Sequence, residues 1–131
     1  PSGSLTMTDR ALRWTEQAEL SCRNTFGVAA KARWLAEASS LAAVGEALDE
    51  AVHRELPVIV LGGGSNVLIV GDLEAVVLVP ALRGIEWQGE SNGRVHVRVG
   101  AGEPWHDLVA TTLAAGAFGL ENLALLPGSV G

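Results

Sequence analysis

Three consecutive glycines and two small polar residues, Gly62-Gly63-Gly64-Ser65-Asn66, form the segment of this sequence best suited to chemistry. They directly follow residues 57–61, a short β-branched stretch that predicts a buried strand with apolar side chains on both faces. A glycine-rich turn after a strand can expose consecutive backbone N–H groups, because no Cβ blocks a close approach. Such donors bind phosphate oxygens without lysine or arginine, so the pattern indicates an anion-binding turn. A plain turn between two strands is the alternative.

Two widespread phosphate-binding loops do not fit this segment. A Walker A loop places Lys and then Ser or Thr after its last glycine, and no lysine lies near Gly64. A dinucleotide-binding fingerprint that began at Gly62 would need a third glycine where the sequence has Val67. It would also need a following helix, whereas residues 67–70 are β-rich and predict a strand. An anion at this turn would therefore be held by backbone donors and the small polar side chains beside them.

The charge balance argues against a general nucleic-acid surface. Nine lysines and arginines stand against 15 aspartates and glutamates, for a formal net charge of −6. The single cysteine, Cys22, cannot form an internal disulfide, which is consistent with a reducing cytoplasm. We expect Cys22 to be a small buried or unreactive side chain.

The three histidines do not predict a metal site, because no pair has a ligand spacing and no cysteine accompanies them. We expect His53 on the solvated face of a helix and His106 near the start of another helix. His96 alternates with Arg94 and Arg98, which places the three side chains on one face of a strand. That basic stripe could meet an anionic ligand, and the exposed face of an antiparallel sheet explains it equally well.

No membrane span and no signal peptide are predicted. The longest apolar runs, such as residues 76–79, are far shorter than the ~20 residues that a membrane helix needs. The first residues, Pro1-Ser2-Gly3-Ser4, are polar and resemble the remnant of an expression tag more than natural sequence.

The first half of the sequence predicts a small parallel α/β unit. Strands are predicted at four places, near residues 31–37, 57–61, 67–70 and 75–79. Residues 12–20 predict a short helix, and residues 24–27 predict a turn. A longer amphipathic helix is predicted between a cap at Ser39 or Ser40 and a stop at Pro57. Its apolar positions recur at intervals of three and four: Leu41, Val44, Leu48, Ala51, Val52 and Leu56.

Beyond Pro80 the pattern changes, and the second half predicts an antiparallel α+β unit that begins near Leu82. Residues 85–87 and 94–99 alternate with period two, and Asn92-Gly93 is typical of a tight hairpin turn. A further helix is predicted from Pro104, in its first turn, to about Gly116. Its apolar stripe has five members: Trp105, Leu108, Val109, Thr112 and Leu113.

Five blocks of the sequence, in the same order, resemble the UDP-N-acetylenolpyruvoylglucosamine reductase (MurB) family. The blocks are residues 24–27, 62–68, 83–86, 100–109 and 119–131. The resemblance implies an α+β fold of the PCMH (vanillyl-alcohol-oxidase) type of FAD-binding domain. It also implies an organisation into an N-terminal extension and two FAD-binding subdomains, the second of them truncated: residues 1–21, 22–81 and 82–131.

The resemblance further implies the reaction of a cytoplasmic flavoenzyme of peptidoglycan synthesis. NADPH reduces FAD, and reduced FAD converts UDP-N-acetylglucosamine enolpyruvate to UDP-N-acetylmuramate. The family's serine proton donor and its Arg and Glu partners would lie beyond Gly131, so no catalytic residue is assigned here. We expect the 131 residues alone to be inactive. An FAD-linked oxidase of the same cofactor fold and a non-catalytic half-domain are the alternatives.

The resemblance also implies which residues bind the cofactor. One segment would cradle the FAD pyrophosphate: Leu61, Gly62, Gly63, Gly64, Ser65, Asn66, Val67 and Leu68. Another would lie along the flavin: Leu126, Pro127, Gly128, Ser129, Val130 and Gly131. We expect Gly64→Val to weaken FAD binding without unfolding the protein, because its Cβ would block the phosphate. Glu121 and Asn122 could satisfy backbone groups of the flavin loop or cap a turn.

Overall fold

The computed structural model describes residues 11–64 and 67–131, and the chain divides into two compact units, up to Ala81 and from Leu82. The predictions for Pro1-Ser2-Gly3-Ser4 and for Ser65-Asn66 lie outside the described residues. The strands are β1 (Leu12–Glu19), β2 (Lys31–Ala38), β3 (Val58–Val60), β4 (Leu73–Pro80), β5 (Ile85–Ser91) and β6 (Arg94–Val99), and the helices are α1 (Leu41–His53) and α2 (Trp105–Ala114).

A four-stranded sheet in the order β1-β2-β4-β3 forms the first unit. Both β2 and β3 pair parallel with β4, so that Val76 lies opposite Trp34 on one side and opposite Val58 on the other. The predicted parallel arrangement of strands near residues 31–37, 57–61 and 75–79 is therefore confirmed. The middle of β4 is buried on both faces, as its continuous apolar run requires of a central parallel strand.

Residues 12–20 contain strand β1, so the predicted short helix is wrong. β1 pairs antiparallel with β2 and belongs to the sheet, although the sequence assigned it to an extension before the first subdomain. Leu12 and Trp14 pack with the cluster under α1, whereas Ala18 belongs to the cluster on the opposite face. Gln17, with φ of 49°, lies where the strand changes face. Pairing with β2 decides the structure of β1: from the strand Leu12, Trp14 and Ala18 reach the two clusters, whereas Glu16 stays exposed.

Helix α1 follows the cap predicted at Ser40, whose Oγ accepts a hydrogen bond from the Ala43 N–H at 3.1 Å. The predicted apolar stripe faces the sheet only in part: its members Val44, Ala51 and Leu56 pack with the cluster under the helix. Leu41 and Val52 are 79% and 77% exposed. Alanines form the buried side instead: Ala43, Ala47 and Ala51. They pack with small residues of β2, including Ala36 and Ala38, and small side chains on both surfaces let the helix and the sheet approach closely.

Strand β3 lies at the edge of the sheet, so its predicted burial on both faces is wrong. Ile59 and Val60 are 40% and 63% exposed, and within residues 11–64 and 67–131 β3 has a neighbouring strand on one side only. Burial resumes at Leu61, which is 2% exposed and donates its N–H to the Leu78 carbonyl at 2.9 Å. The last residue before the glycines is thus firmly fixed to the central strand.

The second unit contains the predicted hairpin. β5 and β6 pair antiparallel, and β5 extends to Ser91, beyond the predicted 85–87. Asn92 and Gly93 have φ of 53° and 71°. Two left-handed residues in a two-residue connection form the turn type that matches the twist of the strands. The predicted turn is therefore confirmed.

Helix α2 begins at Trp105, with Pro104 as the capping residue, and the chain turns at Gly116, with φ of 75°. The predicted helix is confirmed, although Pro104 precedes its first turn. The buried members of the predicted stripe are Leu108, Val109 and Thr112, while Leu113 is 39% exposed. Neither helix in the described part of the chain has the length and apolar character that crossing a membrane requires.

Candidate cofactor-binding site

The glycine turn leaves the carboxyl end of β3, in the first unit. Ligands of open α/β sheets bind outside the carboxyl ends of the parallel strands, so the turn occupies a suitable place. Leu61 is buried, Gly62 and Gly63 are exposed, and Gly64 is buried again. Two of the three glycines are therefore open to a ligand.

Gly64 is buried and contacts the protein's own backbone, unlike the exposed Gly62 and Gly63. Its φ is 72°, and its carbonyl oxygen accepts a hydrogen bond from the Thr25 N–H at 3.1 Å. A Cβ at Gly64 would lie 1.8 Å from the Arg23 carbonyl oxygen and 2.8 Å from the Asn24 Cα. The obstacle to a side chain is therefore the protein's own backbone. The expectation that Gly64→Val leaves the fold intact is wrong, because the substitution would first disrupt this contact.

The turn at residues 24–27, which contacts Gly64, is held by a buried side chain. Asn24 is 7% exposed, and its Nδ2 donates to the carbonyl oxygens of Leu20 at 2.7 Å and Val28 at 3.3 Å. Its Oδ1 accepts the Val28 N–H at 3.0 Å. Sequence reasoning assigned no role to Asn24; the available signal was an asparagine at the start of a glycine-containing turn.

The arginine next to this turn is already paired. Arg23 Nη2 lies 2.6 Å from Glu37 Oε1, and both side chains are about one-third exposed or less, at 31% and 26%. This ion pair holds the guanidinium against strand β2. Arg23 is therefore engaged within the fold, and the binding of an anion by backbone N–H groups of the glycine turn stays a prediction.

Val67–Val70 does not form the predicted strand. Val67 and Ile69 pack against the cluster that contains Leu61, whereas Leu68 and Val70 are 69% and 94% exposed. The side chains alternate as in a strand, but these four residues pair with no strand of the described chain. The segment covers the core at the end of the sheet without extending the sheet.

The second predicted segment lies in the second unit, where backbone bonds hold it beside the start of α2. Gly128 accepts the Trp105 N–H at 3.0 Å, and Gly131 donates its N–H to the Ala101 carbonyl at 3.0 Å. Between them, Val130 donates its N–H to the Glu103 carbonyl at 2.9 Å. Gly128 to Gly131 therefore run antiparallel to residues 101–105.

Glu103 is a buried polar residue that sequence reasoning did not single out. It is 8% exposed, and its Oε1 accepts the Gly84 N–H at 2.7 Å and the Arg83 Nε at 3.2 Å. Glu103 thereby connects the turn at the start of the second unit, through its side chain, to the segment around Val130, through its backbone carbonyl. Its role in the described structure is to hold two loops together.

Glu121 and Asn122 lie in a short 3-10 turn, Glu121–Leu123. Glu121 Oε2 accepts the Gly119 N–H at 2.6 Å. This hydrogen bond, followed by those from its own N–H and that of Leu120, lowers the pKa of the Glu121 carboxyl. The carboxylate therefore satisfies the Gly119 N–H, two residues earlier, while the turn Glu121–Leu123 has no side-chain cap.

An exposed apolar tip lies between this turn and the segment that follows. Leu125 is 80% exposed and has φ of 67°, and Leu126 is 50% exposed. Trp105 Nε1 donates to the Leu123 carbonyl at 2.8 Å and anchors the base of the tip. A leucine in the left-handed conformation costs about 1–3 kcal/mol, and such strain is concentrated at ligand-binding sites.

Leu125→Gly is expected to raise the free energy of unfolding by up to about 1 kcal/mol. Glycine removes the left-handed strain, partly offset by the larger entropy of the unfolded chain, and little burial is lost at an exposed site. Urea denaturation of the chain measures the change. Leu126→Gly is the matched control, because Leu126 is outside the left-handed region and should lose stability. Equal destabilisation by both substitutions would contradict the assignment of strain to Leu125.

The histidines and the cysteine are exposed. His53 lies on α1 and His106 on α2, and His96 Nε2 lies 3.3 Å from Ser91 Oγ on the neighbouring strand. Within residues 11–64 and 67–131, no three His, Cys, Asp or Glu side chains come together as metal ligands. Cys22 is an exposed free thiol, so the burial offered for it is wrong, and its lack of reactivity stays a prediction.

The basic stripe lies on the exposed face of the hairpin. Arg94, His96 and Arg98 are all exposed, and Arg98 pairs in register with Glu86 of β5. This arrangement agrees with the solvated sheet face that the alternation predicts. A cavity of about 700 Å³ on the other side is lined by residues such as Val97, Leu108 and Phe118, and it includes no predicted cofactor-binding residue.

Comparison with known proteins decides the family. Residues 32–131 match a family model described as FAD binding domain. The chain belongs to this family of FAD-binding domains. The match includes both segments that the sequence predicted for the cofactor, and FAD is the cofactor of the domain.

The FAD-binding domain is also similar to curated reductases. It is 47% identical over 120 residues to the UDP-N-acetylenolpyruvoylglucosamine reductase of Pseudomonas putida, and 43% identical over 128 residues to that of Burkholderia cenocepacia. These alignments cover 92% and 94% of the chain and 35% of each relative. The chain thus spans about a third of the length of the relatives it matches.

A solved structure supports the same relationship. The reductase (MurB) of Thermus caldophilus matches with a TM-score of 0.63 and 27% identity. The match covers 92% of this chain and 40% of the Thermus chain. The predicted α+β FAD-binding fold and the resemblance to the MurB family are confirmed by these comparisons.

Proposed function

We propose that this domain is the cofactor-binding part of an NADPH-dependent UDP-N-acetylenolpyruvoylglucosamine reductase. The observation that carries the proposal is the exposed pair Gly62-Gly63 at the carboxyl end of β3, in a chain 47% identical to such a reductase. Two accessible glycines after a fixed strand present backbone to a pyrophosphate at close range. The division into FAD-binding subdomains at residues 22–81 and 82–131 is part of the proposal, with β1 added to the first.

The residues fit FAD without a lysine or arginine ligand. Around the glycine turn we propose that the pyrophosphate is held by Leu61, Gly62, Gly63, Gly64, Ser65, Asn66, Val67 and Leu68. Along the flavin we propose Leu126, Pro127, Gly128, Ser129, Val130 and Gly131. The strained, exposed tip at Leu125 and Leu126 supports the second set, because an apolar surface next to ordered backbone suits an aromatic ring.

FAD supplies the hydride chemistry when it is bound, and the chain supplies its position. The first unit holds the glycine turn by the contacts of Gly64 with Arg23 and Thr25. The second unit holds residues 128–131 by three backbone hydrogen bonds to residues 101–105. Gly64 and residues 128–131 are thereby held in place by the fold, which lowers the entropy cost of binding.

The proposed partners are NADPH as hydride donor and UDP-N-acetylglucosamine enolpyruvate as substrate, which becomes UDP-N-acetylmuramate. This reaction belongs to peptidoglycan synthesis, and through it to cell-wall biogenesis, cell shape and cell division. A cytoplasmic location is part of the proposal. An exposed free thiol at Cys22 supports it, since a reducing compartment keeps such a thiol intact.

A chimera tests the proposal. Residues 11–131 replace the matching segment of the Pseudomonas putida reductase, which provides the remaining part of the relative. We expect the chimera to purify with FAD and to oxidise NADPH only when the enolpyruvyl substrate is present. Oxygen consumption with an alcohol substrate would instead favour the FAD-linked oxidase. A folded chimera that holds no flavin would contradict the proposal.

Gly63→Val in the chimera is expected to weaken FAD binding at least about tenfold while the protein stays folded. One lost hydrogen bond to a charged acceptor accounts for that factor, at ~1.5–3 kcal/mol. Flavin content after gel filtration and the dissociation constant measure the effect. Gly45→Val in α1 is the control: both positions carry the same substitution, and Gly45 is outside the proposed site. Unchanged FAD affinity in the folded Gly63→Val protein would remove Gly63 from the site.

A further inference from the structure

We infer that Asn24 is a positioning residue for the pyrophosphate-binding turn. The inference rests on the proposed FAD function and adds to it a residue outside the glycine segment. Asn24 acts through the loop between Leu20 and Val28, here called the Asn24 loop. This loop supports the glycine turn from behind, and Asn24 determines the shape of the loop.

The Asn24 side chain closes the Asn24 loop at both ends. Its amide group joins the Leu20 carbonyl to the N–H and carbonyl groups of Val28 through three hydrogen bonds between 2.7 and 3.3 Å. With only 7% of its surface exposed, the side chain has almost no water to replace these partners. Truncation at Asn24 would remove both side-chain hydrogen bonds of Val28, whereas the Leu20 carbonyl would keep the Arg23 N–H at 2.9 Å.

The Asn24 loop in turn fixes the glycine turn. The Thr25 N–H donates to the Gly64 carbonyl at 3.1 Å, and the Arg23 carbonyl oxygen lies where a Gly64 Cβ would be. Gly63, exposed to a ligand, is bonded directly to the residue that carries both contacts. A displacement of residues 23–25 therefore changes the direction in which Gly62 and Gly63 present their backbone.

The two ends of the Asn24 loop are anchored independently of Asn24. Leu20 is fully buried, Ala30 is 2% exposed, and the Leu20 N–H donates to the Ala30 carbonyl at 2.8 Å. Both residues belong to the core cluster of the first unit. Loss of the Asn24 amide should therefore loosen the middle of the loop while its ends stay in place. When only a fraction of molecules holds the binding shape, the apparent affinity falls by that fraction.

The test compares Asn24→Ala with Ser40→Ala in the chimera. Ser40→Ala removes the cap of α1 and lowers stability at a place that does not contact the glycine turn. Dissociation constants are measured for FAD and for riboflavin, which lacks the pyrophosphate. If one molecule in ten of Asn24→Ala keeps the binding shape of the turn, its apparent affinity for FAD falls about tenfold. We expect its affinity for riboflavin to stay within about twofold. Ser40→Ala should change neither constant.

Three outcomes would overturn the inference: unchanged FAD affinity in Asn24→Ala, an equal loss for riboflavin, or an equal loss in Ser40→Ala. Each of these results would show that Asn24 contributes to the stability of the fold and has no specific role in positioning the turn. If Asn24→Ala does not fold, Asn24→Ser, which keeps one hydrogen-bonding oxygen, is judged by the same comparisons. Failure of the unsubstituted chimera to bind FAD would overturn the proposed function, and this inference with it. If the chimera and its Asn24→Ala variant bind FAD with the same affinity, the inference is overturned and the proposed function is kept.

Discussion

Gly64→Val is expected to unfold the first unit, with a loss of at least about 4 kcal/mol of stability, which is exceptional for a single substitution. The added Cβ would lie 1.8 Å from the Arg23 carbonyl oxygen, and a rotamer change cannot move a Cβ. The φ of 72° adds strain for a β-branched residue, by about 1–3 kcal/mol. A domain with a typical total stability of ~5–15 kcal/mol loses much of it.

Urea denaturation of the chain, followed by far-UV circular dichroism, measures this effect. Gly64→Ala shares the offending Cβ and should also be strongly destabilised. Gly45→Ala is the matched control, because a Cβ at Gly45 meets no atom within 4 Å. In the middle of α1 it should raise stability by roughly 0.5–1 kcal/mol. A Gly64→Ala chain as stable as the wild type would show that residues 23–25 can move aside.

A polypeptide of residues 1–131 alone is expected to show no NADPH-dependent reduction of the enolpyruvyl substrate, even with added FAD. The chain spans 35% of the Pseudomonas putida relative, so most of the proposed enzyme is outside it. FAD binding should also be weak, because affinity that depends on enclosing a ligand falls when part of the pocket is absent. The loss of activity relative to the chimera should be complete within the limit of the assay.

Absorbance of NADPH at steady state measures turnover, and intact mass confirms the length of the polypeptide. The chimera serves as the positive control in the same buffer. We also expect the short polypeptide to self-associate, because the edges of the hairpin pair with no other strand that the structure describes, and Phe118 and Leu125 are 77% and 80% exposed. Measurable turnover by the confirmed 131 residues would contradict the proposed placement of the catalytic groups.

Where local signals sufficed, the sequence determined the structure. The Asn92-Gly93 turn, the cap at Ser40 and the apolar run of β4 each depend on neighbours along the chain, and each prediction is confirmed. The glycine turn after β3 was identified for the same reason. The family resemblance was readable from five short blocks, and residues 32–131 match the FAD-binding family.

Tertiary structure decided which apolar residues are buried. In α1 two members of the apolar stripe, Leu41 and Val52, are exposed, whereas the buried side is made of alanines that pack with small residues of β2. Along β1 a chain that could be helical becomes a strand because β2 offers it an edge. β3 is exposed at the edge of the sheet, where no strand of the described residues lies beyond it. Burial in each case depends on partners distant in sequence.

The same dependence on distant partners gives the three glycines of the turn different environments, which the sequence did not predict. Gly62 and Gly63 are open, whereas Gly64 is covered by the turn at residues 23–25. That contact joins segments far apart in the chain, and Asn24, which holds the turn, has no pattern that marks it as part of a binding site. The sequence by itself determined that a glycine turn follows a strand in an FAD-binding domain. Only the packing of two loops decided that one glycine holds the turn and two remain accessible.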